Sequence, residues 1–154
     1  MDLVQNSFAQ LELNNANMLH NYKYFRSKLK DTTKLLILIK ANSYGHGAVE
    51  FARQMEKAGA DYFVSIHRNS SVYPNQYSGV ETLVYNNESP AYEMAVNINR
   101  ELERIGFINL GVNERPNLVV LNRTQMPAVL VEVGFINTDN DNELFDRRFM
   151  EIRS

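Results

Sequence analysis

Two kinds of apolar spacing take turns along this chain. Met18, Tyr22, Phe25 and Leu29 recur three and four residues apart, the period of a helix with one apolar stripe, and predict an amphipathic helix over 15–29 with lysine and arginine outside. The next segment, Leu35-Leu-Ile-Leu-Ile39 between Lys34 and Lys40, is apolar without a break. That pattern predicts a strand over 34–40 covered on both faces, as in a parallel sheet. Ala48, Phe51, Ala52 and Met55 return to helical spacing and predict a helix over 47–58 that stops at Gly59, a residue suited to the position after a helix end. Tyr62–Ile66 then reads as a strand and completes a β-α-β unit.

Downstream, the alternation is repeated. Val80–Tyr85 has high β propensity and predicts a strand over 80–85. Ser89-Pro90 is a helix start, opening a helix over 90–105 with Ala91, Met94, Ala95, Ile98, Leu102 and Ile105 inward and Gly106 at its end. Asn117–Leu121 and the segment 127–133 read as further strands. A last helix over 141–152 would turn Leu144, Phe145, Phe149 and Ile152 inward. Leu11–Leu13 reads as a short strand before a cap at Asn14 or Asn15. The sum is an α/β fold: a single open, mostly parallel sheet of about five strands with flanking helices. The strand at 62–66 is expected at its centre.

Composition narrows the function classes. A length of 154 residues suits one domain. A formal net charge of −2 offers no basic face for nucleic acid. Cysteine is absent, which removes disulfides, thiolate metal ligands and a cysteine nucleophile. No apolar run approaches the ~20 residues of a membrane span. Met1–Asn6 has neither the basic region nor the apolar core of a signal peptide, so the expected location is cytoplasmic, or the cell wall if the protein is exported.

Three positions stand out on chemistry alone. His67 closes the strand at 62–66, and the carboxyl ends of parallel strands are where α/β proteins build sites, so it is a candidate ligand or proton carrier. Glu132 lies inside Val131-Glu-Val133, where a charge calls for a partner or a task. Lys40 ends an apolar strand, either as a reactive amine or as a lysine reaching out to water. His20, without a ligand-type neighbour at helical spacing, reads as an ordinary surface or half-buried histidine.

Two resemblances meet on this chain. Residues 11–63 resemble the start of a bacterial alanine racemase through Glu12-Leu-Asn14, His20-Asn-Tyr22, Arg26-Ser27 and above all Lys40-Ala-Asn-Ser-Tyr-Gly-His-Gly47. The resemblance implies a pyridoxal phosphate site, with Lys40 as the Schiff-base lysine and Tyr44 beside the cofactor. The rest of the racemase barrel and its second domain have no counterpart here. Residues 59–154 resemble the second half of a zinc-dependent N-acetylmuramoyl-L-alanine amidase. The matching segments are Phe63-Val-Ser-Ile-His-Arg-Asn69, Gly79-Val-Glu-Thr-Leu-Val-Tyr85, Arg115-Pro-Asn-Leu-Val-Val-Leu121 and Pro127-Ala-Val-Leu-Val-Glu-Val-Gly-Phe-Ile-Asn137.

That resemblance implies a cell-wall hydrolase acting on peptidoglycan or muropeptides, with His67 as a zinc ligand and Glu132 as the catalytic carboxylate. Asn69 and Arg115 are candidate substrate or framework contacts, Arg115 equally a partner for Glu114 or Glu81. The family's first half, which supplies two more zinc ligands, is replaced here by the racemase-like piece, joined near Gly59–Phe63. The chain therefore reads as a fusion of two fragments folded as one domain. His46 and Glu50 of the racemase-like piece are candidates for the missing ligands. The alternatives are a pyridoxal phosphate-dependent racemase fragment using Lys40, and a junction product without catalysis. Because the halves were not selected to pack together, cavities and low stability are expected.

Overall fold

The computed structural model describes residues 14–40 and 47–153. The expected strand at 11–13, together with Tyr44 and His46, lies outside the described residues, as do the side chains of Lys40, Phe149 and Ile152.

Helix α1 (Asn15–Ser27) is capped by Asn14, whose side-chain oxygen accepts from the Asn17 backbone N–H at 3.0 Å. It is followed by strand β1 (Leu36–Lys40) and helix α2 (Ala48–Ala58), which ends at Gly59 in the left-handed conformation. Strand β2 (Tyr62–Asn69) is longer than its apolar run, extending past Ile66 through His67. Strand β3 (Val80–Val84) leads to helix α3 (Tyr92–Arg104) and strand β4 (Asn109–Glu114). A single helical turn, α4 (Val119–Asn122), strand β5 (Ala128–Phe135) and helix α5 (Asp139–Arg153) complete the order.

One five-stranded sheet runs β1-β2-β5-β3-β4. β1, β2 and β5 are parallel to one another, β3 is parallel to β4, and β3 meets β5 antiparallel. The expected open, mostly parallel sheet is therefore present. β1 is covered on one face only, since Leu36 is 45% and Leu38 58% exposed at this end of the sheet, where no further strand or helix covers them among the described residues. Other elements also differ from expectation. The segment at 117–121 is not a strand: after Pro116 the chain turns, Leu121 enters the core and Val119 is left exposed. The fifth strand is instead β4, which the sequence reading passed over. The strand at 62–66 is interior but not central, because β5 takes the middle position.

Register decides what each face carries, since alternate side chains point to opposite sides. Ile37, Ile39, Phe63, Leu83, Ala128 and Leu130 share a face and pack against Tyr22 of α1, Ala52 and Met55 of α2, and Leu121 of α4. Val64, Val84, Val129 and Val131 occupy the other, covered by Ala91 and Ala95 of α3. Val80, Phe107 and Leu144 extend that second layer toward α5. The buried Thr82 hydroxyl donates to Asn99 at 2.6 Å, and the Asn99 amide donates to the Gly111 carbonyl at 2.6 Å, which ties α3 to β3 and β4 through satisfied polar groups.

The packing of α1 is less complete. Tyr22 is buried, but Phe25, on the expected inward stripe, is 61% exposed. Phe25 borders an open hollow of about 310 Å³ between α1, α2 and β1, lined also by Met18, Tyr22, Ile37, Phe51 and Met55. Ile105, at the end of the α3 stripe, is also exposed.

Candidate functional site

The site candidates gather where β1, β2 and β5 end and β3 begins. His67 on β2 pairs in register with Glu132 on β5, and Glu132 pairs in turn with Glu81 on β3. Partners in register project to the same face, so an imidazole and two carboxylates form one row near the carboxyl edge. The row continues the first, apolar face beyond its last large side chains, Leu83 and Leu130.

Each member of the row is held differently. The His67 Nε2 lies 3.0 Å from the Oγ of buried Ser65, two residues back along the strand. Both oxygens of Glu81 accept amide hydrogen bonds, from Asn69 Nδ2 at 2.9 Å and Asn113 Nδ2 at 2.8 Å. Glu132 has no such support: its Oε2 is buried with no hydrogen-bond partner among the described residues. Burial, and then the neighbouring Glu81 charge, raise the Glu132 pKa above its ordinary value. The carboxylate in the Val-Glu-Val segment is half-buried, and among the described residues it has no counter-ion beside it. Native structures rarely leave a polar atom in that condition without a use for it.

The other sequence candidates are placed unevenly around this row. Lys40 is the last residue of β1 and pairs in register with Ile66, so its backbone stands on the same edge. Glu50 lies in the first turn of α2, is exposed, and accepts from Gln54 Nε2 at 2.7 Å. Asn69 donates to Glu81, and its carbonyl accepts the Ile136 N–H at 2.8 Å, so it joins β2, β3 and the end of β5. Arg115 is not brought to the row. β3 and β4 run against β5, so the residue after β4 emerges at the opposite edge, where the Arg115 N–H donates to Val84 O and its guanidinium to Glu114 O. His20 is exposed on α1. Among the described residues, no three His, Cys, Asp or Glu side chains are arranged to hold a metal ion. Of the candidate ligands, His67 and Glu50 lie within that set and are not brought into one such group, while His46 lies outside it.

Glu81, Asn113 and Ser65 were missed as site residues. Glu81 carried the same signal as Glu132, a lone carboxylate inside a strand, and was weighed only as a partner for Arg115. Asn113 and Ser65 carry no local signal, because their roles come from register.

Comparisons with known proteins bear on the family and the fold. A family model described as N-acetylmuramoyl-L-alanine amidase matches residues 13–153. It extends well before residue 59, where the amidase-like sequence motifs begin. Among solved structures, the chain is similar to an N-acetylmuramoyl-L-alanine amidase from Clostridium difficile 630, with 26% identity and a TM-score of 0.60 over 84% of this chain and 67% of that one. It is also similar to the amidase AmiC2 of Nostoc punctiforme, with 27% identity and a TM-score of 0.57 over 65% of this chain and 55% of that one. Separately, 58 residues are 40% identical to the alanine racemase of Thermodesulfovibrio yellowstonii, covering 36% of this chain and 16% of the racemase. The chain thus spans a small part of that curated relative and little more than half of the Nostoc amidase structure.

Proposed function

This chain belongs to the N-acetylmuramoyl-L-alanine amidase family, and from that premise we propose that it is a zinc-dependent cell-wall hydrolase. Its reaction would be hydrolysis of the amide between the lactyl group of N-acetylmuramic acid and L-alanine, in peptidoglycan or muropeptides. The observation that carries this reading is Glu132, a half-buried carboxylate with one buried oxygen unpartnered among the described residues, standing one strand from His67. Zinc would polarise the amide carbonyl and acidify a water. His67 would be one of the three protein ligands that a catalytic zinc needs, with His46 and Glu50 the candidates for the other two. Glu132 takes the proton of the attacking water and returns it to the leaving amine. Among the described residues it has no counter-ion, which suits that exchange, since neither protonation state is locked in place. Asn69 and Glu81 act as framework, and Arg115, at the far edge, has no part.

The test is mass spectrometry of a muropeptide incubated with the zinc-loaded chain. Separation of the peptide from the lactyl group is expected, slowed about 10²- to 10⁴-fold by Glu132→Gln. An intact muropeptide with folded, zinc-loaded protein would overturn the reading.

The identity to alanine racemase supports a second proposal, about origin: residues up to about 63 derive from a racemase opening, joined to an amidase ending within Gly59–Phe63. Under it Lys40 is the lysine that would carry pyridoxal phosphate. Borohydride treatment after incubation with the cofactor should then fix an adduct on Lys40, and an unmodified Lys40 would leave that chemistry without support.

A further inference from the structure

The loop from Asn69 to Gly79 is fastened by polar groups along one side and carries large apolar side chains in solvent on the other. Surface loops ordinarily give their polar side chains to water. Here the polar groups are turned onto the β5–α5 junction. The Ser71 N–H donates to Asn137 Oδ1 at 3.1 Å, and the Asn137 amide donates back to the Ser71 carbonyl at 2.7 Å. Asn75, in the left-handed region at φ 60°, donates to Asp139 at 2.9 Å and accepts the Asp139 N–H at 2.7 Å. The Ser78 hydroxyl donates to the fully buried Asp141 at 2.6 Å. Beside the exposed Ser70, Asn75 and Gln76, large apolar side chains also face solvent: Val72 is 86% exposed and Tyr73 69%, and on the adjoining turn after β5 Ile136 is 58% exposed.

This crest stands beside the proposed catalytic row. The loop leaves β2 just after His67, returns to β3 just before Glu81, and is fastened to the turn that follows β5. It is held in one conformation before any ligand arrives, which lowers the ordering cost of binding. Its chemistry is also selective. Residues 69–79 are Asn, Ser, Ser, Val, Tyr, Pro, Asn, Gln, Tyr, Ser and Gly, without one charged side chain. The loop's own side chains offer a charged peptide no counter-ion. A neutral sugar, with one apolar ring face and hydroxyls at its rim, would meet an aromatic plane among amides and hydroxyls.

We propose that the Asn69–Gly79 loop, through Tyr73 with Val72 and Ile136, is a subsite for the glycan strand, stacking on the face of a sugar ring next to the scissile amide. The proposal rests on the cell-wall reading above but concerns binding, so it can be tested without catalysis. Chelator-treated full-length protein is titrated with peptide-free peptidoglycan glycan strands and, separately, with free stem peptide. The glycan strands should bind and the peptide should not. Tyr73→Ala should weaken glycan binding about five- to tenfold, and Tyr73→Phe should retain it. A Val72→Ser, Ile136→Ser double variant should lose affinity similarly, with circular dichroism and melting temperature unchanged because these side chains lie on the surface. Unaltered glycan affinity in Tyr73→Ala, or binding of stem peptide but not of glycan, would overturn the subsite. Glycan binding without amide cleavage under the zinc-loaded assay would keep the subsite and remove the hydrolase.

Discussion

At the scale of single residues, the informative group is Glu132. Its carboxyl is held above its ordinary value of 4.5 by burial and by Glu81, so the folded state prefers it protonated. The sign follows. Its contribution to stability is fully present below the unfolded value and is lost as pH rises through the raised folded value. In metal-free protein, Glu132→Gln should therefore raise the melting temperature at neutral pH, with the difference closing as pH falls below about 4.5. Melting curves of both proteins from pH 4 to 8 check this, and a constant offset would contradict it. Glu132 was legible in the sequence because a lone charge in Val-Glu-Val has few innocent explanations. Glu81, equally lone, was passed over because its two amide partners come from Asn69 on β2 and Asn113 on β4, a convergence that only strand register creates.

Among the elements, those with a strong internal period were readable and those defined by their neighbours were not. α2, α3 and β5 lie close to where their apolar spacing puts them. β4 does not announce itself: Asn109-Leu-Gly-Val-Asn-Glu has little apolar content, and its pairing is supplied by β3. The run Asn117–Leu121 has the β-branched look of a strand, but it follows Pro116 at the point where the chain must leave one edge of the sheet, and it closes into a single helical turn. The junction of β5 with α5 shows how tightly such a connection is set. Gly134 has φ +72°, and a Cβ there would stand 3.0 Å from Asp141 Cβ. Asp141 in turn accepts the backbone N–H groups of Gly79 and Phe135 at 3.0 and 2.7 Å. Gly134→Ala combines left-handed strain with displacement of that carboxylate, and should cost about 2–4 kcal/mol of stability by denaturant titration. A loss below about 0.5 kcal/mol, the usual effect of a neutral surface change, would mean the junction relaxes freely.

For the whole molecule, the described residues are firmest in the middle of the sheet and loosest beside β1. β2, β5 and β3 are covered on both faces, whereas α1 is anchored by Tyr22 over a hollow of about 310 Å³. Cavities forgo contacts that the surrounding side chains would otherwise make. Native-state hydrogen exchange should find α1 opening at lower free energy than β2 and β5, and equal protection would show that the hollow costs little. Periodicity alone did not reveal the loose fit of α1, since Phe25 keeps the helical spacing yet stands in solvent. One feature of the strand order reaches further. β1 is the last rung at one end, hydrogen-bonded to β2 and, among the described residues, to no other strand. A ladder can have its end rung replaced without being taken apart, whereas replacing β5 would break it on both sides. His67, Glu132 and Glu81 all stand on inner rungs, so under the proposed fusion an exchange at β1 would leave the strands that carry this row paired with one another.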